Sequence, residues 1–177
     1  MDYGWVTTYT EPRKQMSNST ALAVRLNALG VREDQCACDT CVAMCHHRPC
    51  WPLPEEAEKI IEAGYGHRLM LEYWELDVDE GKGREGKIFL LSPGIRGAGG
   101  RHAPWYPRGT CLFLRQDRCE LHELGLKPIE GRSVSCKTPD ETKEMNVHTA
   151  IPPLWDTEKG RSIVEEWKEA YLKDDDD

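Results

Sequence analysis

Ten consecutive residues, Cys36-Ala37-Cys38-Asp39-Thr40-Cys41-Val42-Ala43-Met44-Cys45, carry four thiols, and Cys50 follows in the stretch HHRPCWP. No other feature restricts the chain so strongly. Thiols this crowded pair as disulfides, share a metal ion or hold a redox cluster. Cys111, Cys119 and Cys136 bring the total to eight in 177 residues. That length suits one domain with little room for a second. The hydrophobic fraction is 39% and the charged fraction 31%, so the core is expected to be thin. With six Trp and six Tyr against two Phe, large amphipathic rings should build much of it. Thin cores are commonly reinforced by covalent or metal cross-links, and the cysteines are the candidates.

The compartment decides between cross-links. The opening MDYGWVTTYTEPRKQ has no basic start followed by an apolar stretch, so no signal peptide is expected there. The apolar run IFLL, Ile88 to Leu91, is far too short for a membrane span. The cytoplasm is therefore the expected location, where thiols stay reduced and clustered cysteines more often bind metal than pair. Formal net charge is -8, of which Asp174 to Asp177 supply four, and no run of Lys or Arg forms a basic stripe. A nucleic-acid partner is not expected, and neither is a membrane; a protein partner cannot be named.

Residues 1–19 are polar and without period and read as a flexible arm, residues 20–173 as the domain, and residues 174–177 as an acidic tail. Good helix formers run from Thr20 to Leu29. In WPLPEEAEKIIEAGYG, Pro54 suits a first helical turn, Glu55 and Glu56 suit the positive end of the dipole, and Gly64 or Gly66 ends the helix. HRLMLEYWEL, His67 to Leu76, reads as a second helix with Leu69, Tyr73 and Leu76 inward. IFLL and TCLFL, Thr110 to Leu114, read as short strands, separated by a Gly- and Pro-rich loop that lacks a phosphate-binding fingerprint. Asp156 or Thr157 should cap a last helix with Ile163, Val164, Trp167, Ala170 and Tyr171 on its inner stripe. The expected fold class is α+β: a small single domain of helices, short strands and long loops fastened by a Cys-rich metal site.

Cys38, Cys41 and Cys45 stand at i, i+3 and i+7, which share a helix face; a tight turn would also converge the first two. Cys36 lies outside that face, and Cys50 adds a thiol just before Trp51-Pro52. Downstream, GTCLFLRQDRCELH supplies Cys111, Cys119 and His122. A tetrahedral zinc site takes four Cys or His ligands, usually from two short-spaced pairs, and the chain offers more than four.

The spacing CDTCVAMC, the later GTCLFLRQDRCELH and the GLKPIEGR after it resemble the YkgJ-type family of zinc- or iron-chelating proteins, marked by a clustered CxxCxxCC pattern. The resemblance covers roughly residues 36–136. It implies a cytoplasmic metal-binding domain with ligands at Cys38, Cys41, Cys45, Cys111 and Cys119. In place of the adjacent cysteine pair this chain has His46-His47 beside Cys45, with the next thiol at Cys50, and Lys127-Pro128 is followed by a long run before Cys136. The sequence does not decide whether Cys36, Cys136, His46, His47 or His122 also bind, while His67, His102 and His148 read as structural or solvated.

A bacterial ferredoxin run is C-x2-C-x2-C-x3-C, whereas the gaps here are one, two and three. Zinc is therefore favoured over iron or an iron-sulfur cluster. The leading expectation is a metal-stabilised module without turnover. The alternatives are an iron-sulfur or non-haem iron redox protein, and a metal-dependent enzyme with a pocket near residues 94–107. CHHRP also offers a base to a nucleophilic thiol at Cys45, but the crowding of thiols favours shared coordination.

Overall fold

The computed structural model describes residues 38–75, 86–104, 107–133 and 147–173. The expected arm, the Thr20–Leu29 helix, the acidic tail, Cys36 and Cys136 lie outside the described residues. In chain order the elements are α1 (Asp39–His47), α2 (Pro54–Ile60), β1 (Leu69–Glu75), β2 (Lys87–Pro93), β3 (Leu114–Arg115), β4 (Arg118–Cys119), α3 (Glu120–Glu123), α4 (Ile129–Ser133), α5 (Pro152–Trp155) and α6 (Glu158–Tyr171). The described part is thus helices with two small antiparallel sheets, in keeping with an α+β domain.

Pro54 opens α2, and the Glu56 carboxylate returns to accept the Leu53 N–H at 2.9 Å. The same carboxylate accepts from Ile129 N–H at 3.0 Å and from the Arg132 guanidinium, tying α2 to α4. Glu56 therefore caps and cross-links. Helical winding continues through a wider turn at Ile61–Tyr65 until Gly64 swings to φ 88°, a conformation that favours glycine.

The sequence reading fails next to this turn. Leu69–Glu75 is a strand, paired with β2 in the register Leu71↔Leu91 and Tyr73↔Phe89. Leu69, Met70, Leu71 and Glu72 are buried in succession, and such a run fits a strand covered on both faces as well as a helix. The Gly-rich loop covers the other edge of β1: Leu71 N–H donates to Arg101 O at 3.0 Å, and Ala103 N–H donates to Leu71 O at 2.7 Å. IFLL does form β2. TCLFL is broken, since Cys111 makes an isolated bridge to Ile95 and the chain turns before β3.

The core gathers β1, β2, α2 and the C-terminal helices around Trp155, Trp167 and Phe113. Both tryptophan N–H groups are satisfied, Trp155 by Pro52 O at 3.0 Å and Trp167 by Gly66 O at 2.8 Å. Trp51, Phe113, Trp155 and Trp167 sit among a larger number of aliphatic side chains, and none of the described tyrosines is buried. Rings therefore build less of the core than the composition suggested. Thr157 caps α6 through its hydroxyl, which accepts from Gly160 N–H at 3.1 Å. Ile163, Val164 and Trp167 face inward as expected, whereas Ala170 is exposed and Tyr171 half-buried. No described helix is long and apolar enough to cross a membrane.

Candidate functional site

Cys38 is the N-cap of α1, in extended backbone conformation (φ -73°, ψ 158°), so it stands just outside the helix. Cys41 and Cys45 lie four apart inside it and share a face. The C-terminal end of α1 meets the second cysteine group through the main chain. Cys111 N–H donates to Cys45 O at 2.8 Å, and Gly109 N–H donates to His47 O at 2.9 Å. From Cys111 the chain enters the β3–β4 hairpin, whose turn places Gln116 and Asp117 at φ 47° and 58°. Those values suit the right-twisted two-residue hairpin turn. The hairpin returns Cys119 opposite Leu114, as the residue capping α3.

The thiols sense one another. Burial pushes Cys45 above its ordinary value, and the charge of Cys119 pushes the same way while Lys127 opposes. Cys111, buried, is pushed up to about 12, first by burial and then by Cys45 and Cys119, against a hydrogen bond from the Phe113 backbone and the charge of Arg68. Cys50 is held well above its ordinary value by burial, with Glu130 and Cys45 adding to it. Its sulfur lies so close to α4 that a Cβ on Gly131 would stand 3.1 Å from it. Cys45, Cys50, Cys111 and Cys119 therefore form one electrostatic neighbourhood, with Cys38 and Cys41 up the helix from it. No disulfide joins Cys38, Cys41, Cys45, Cys50, Cys111 or Cys119. Among the described residues, no three His, Cys, Asp or Glu side chains already stand as a metal-holding group.

His46 and His47 are exposed, with His46 Nδ1 3.4 Å from Thr110 Oγ1. His122 is half-buried on α3.

A second feature was foreseen only in part, since the segment 94–107 supplies Ala103, Pro104 and Pro107 to a pocket whose other walls were not expected. A cleft of about 550 Å³ opens beside α1, lined by Arg48, Trp51, Glu72, Trp74 and His148 among others. His148, expected to be merely structural or solvated, stacks on Trp51 at 4.2 Å between ring centroids and meets Trp74 edge-on at 5.5 Å. Its Nδ1 lies 2.7 Å from Glu130 Oε1, the oxygen to which Arg48 also donates at 2.7 Å. Arg48 Nη2 also lies 3.1 Å from His148 Nδ1, so Arg48, Glu130 and His148 form one polar cluster. Glu130 also accepts from Trp51 N–H at 2.5 Å.

Strand alternation sets Glu72 and Trp74 on the same face of β1. Glu72 is 5% exposed, and its carboxylate accepts from Trp51 Nε1–H at 2.5 Å and from the Ser92 hydroxyl at 2.9 Å. Burial holds it above the ordinary carboxylate value, with both hydrogen bonds pulling the other way. Glu72 and Trp74 come from one strand, but Trp51, Glu130 and His148 reach them from segments distant in sequence. A lone His148 carries no local trace of the cleft.

No family model, curated protein or solved structure matches the chain.

Proposed function

We propose that this chain is a metal-binding module of a reducing compartment. Its thiolates hold zinc, or alternatively iron, between the α1 cysteines and the β3–β4 hairpin. Cys45, Cys111 and Cys119 form the centre of the proposed donor set, with Cys38, Cys41 and Cys50 as further ligands. One observation carries the reading: the main-chain bond from Cys111 to Cys45, 2.8 Å long, seats the second cysteine group against the first. The YkgJ-type resemblance points to the same residues apart from Cys50.

The chemistry of the donors fits a soft or borderline cation. Neutral thiols in this neighbourhood resist ionisation because each new thiolate is buried beside others. A bound cation supplies the countercharge and displaces the protons, so binding couples to both folding and pH. Against this resistance, Lys127 acts on Cys45 and Cys50, and Arg48 acts on Cys50 as well. Holding an ion requires the sulfurs to close together from their positions here. The ion's contribution is then a cross-link that fastens a short, partly exposed α1 to the core.

Elemental analysis and visible absorption of protein purified without oxygen, chelator or added metal test the reading. Zinc gives a colourless protein, whereas iron-thiolate centres absorb in the visible. Replacing Cys119 by Ser should lower metal content and melting temperature together. Unchanged metal content in that variant would separate the hairpin from the site.

A further inference from the structure

We infer that the cleft between α1, β1 and the helical turn at residues 147–150 binds a small organic cation bearing N–H donors, an alkylammonium or guanidinium group. Glu72 would meet its charge, and Trp51 and Trp74 would wall it in.

The cleft's volume, about 550 Å³, lies in the range of small-molecule sites. The Trp51 and Trp74 rings are nearly perpendicular, 87° apart with centroids at 5.7 Å, so they form two sides of a corner. His148 already fills part of that corner, which leaves the half-buried Trp74 as the more accessible ring. Tryptophan is the best aromatic partner for a cation.

Charge decides the ligand. Glu75 and Arg108 line the cleft with opposite signs at exposed positions, and His47 is exposed as well, so solvent screens all three. Arg48 is engaged by Glu130 at 2.7 Å and lies 5.2 Å from the Trp51 ring centroid; its charge also pulls on Glu72, but the two form no ion pair. Glu72, by contrast, is buried and forms no ion pair among the described residues. A buried carboxylate without a paired charge carries a desolvation cost. One hydrogen bond reaches each of its oxygens, from Trp51 and Ser92. Each oxygen keeps a second acceptor site. A ligand N–H cation satisfies that capacity and adds a countercharge in direct contact to the more distant pull of Arg48. A ligand carboxylate would place a second negative charge beside Glu72 and Glu130.

Isothermal titration and tryptophan fluorescence with n-butylammonium, against n-butanol as the neutral control, test this on the full chain. Saturable binding of the ammonium alone is expected. Glu72→Gln, whose amide can still accept from Trp51 and donate to Ser92, should weaken binding by about tenfold or more. Trp74→Leu should weaken it as well. Blocked lysine N-methylamide then distinguishes sources. Binding as tight as that of n-butylammonium indicates a protein side chain, and much weaker binding indicates a free small amine. Equal affinity for butanol, no saturable binding of the ammonium, or unchanged affinity in a folded Glu72→Gln variant would overturn the inference. Should that variant not fold, the ammonium-against-butanol comparison on the wild-type chain decides alone.

Discussion

Cys111 is buried and Cys45 and Cys119 half-buried, each beside another thiol, whereas Cys38 stands at the N-cap of α1. Serine keeps the size and polarity of cysteine but ligates soft metals poorly. Cys45→Ser, Cys111→Ser and Cys119→Ser should therefore lose most of the bound metal and melt earlier. Cys41→Ser and Cys38→Ser should also lose metal, and Cys36→Ser should lose less. Metal per chain across the series checks the order, and a dominant loss at Cys36 would contradict it. Glu72 gives a prediction that needs no metal. Its carboxyl titrates above the ordinary value of 4.5 when folded, so the folded chain binds the proton more tightly than the unfolded chain. Its ionisation therefore opposes folding. The cost is absent well below pH 4.5, grows as pH rises past it, and is complete once pH exceeds the folded value. Melting curves of wild type and Glu72→Gln over that range should diverge, the variant gaining relative stability as pH rises. The cysteine spacing was legible because thiols three and four apart have few other reasons to cluster. The Glu72–Trp51–His148 cleft was not, because its partners come from separate segments and only folding makes them neighbours.

Among the elements, α6 shows how local and tertiary requirements meet. Its inner stripe and its Thr157 cap could be read in advance because an amphipathic helix writes its period into the sequence. The constraint at Gly160 could not. A Cβ there would stand 2.5 Å from Trp155 O and 2.7 Å from Trp155 Cα, both backbone atoms with little freedom to yield. Gly160→Ala should cost about 1–3 kcal/mol or more by overpacking, despite alanine's better helix propensity. Chemical denaturation would show this as a lower midpoint at unchanged slope. Trp167→Ala, which removes a ring that is 1% exposed, should cost about 3–5 kcal/mol. The opposite case is β1. Leu69, Met70, Leu71 and Glu72 favour helix in isolation, yet pairing with β2 and burial on both faces make them a strand. Tertiary pairing outweighed propensity there, as it commonly does for short apolar runs.

At the scale of the whole molecule, the described core joins segments about a hundred residues apart: Trp155 bonds to Pro52 and Trp167 to Gly66. α1 is peripheral to it, held by Cys45 packing and by main-chain bonds from residues 109 and 111. A metal ion shared between α1 and the hairpin would convert that edge into part of the cooperative unit. Chelation should therefore lower the melting temperature, and readdition of zinc should restore it. Folding without metal should leave the Trp155–Trp167 core intact while α1 loosens, which amide hydrogen exchange would report as lost protection in Asp39–His47. The most direct measurement is metal stoichiometry by elemental analysis of the folded chain purified anaerobically without added metal. The account predicts at least one zinc or iron ion per chain, lost together with stability in Cys119→Ser. A folded, cooperatively melting chain with no stoichiometric metal would contradict it.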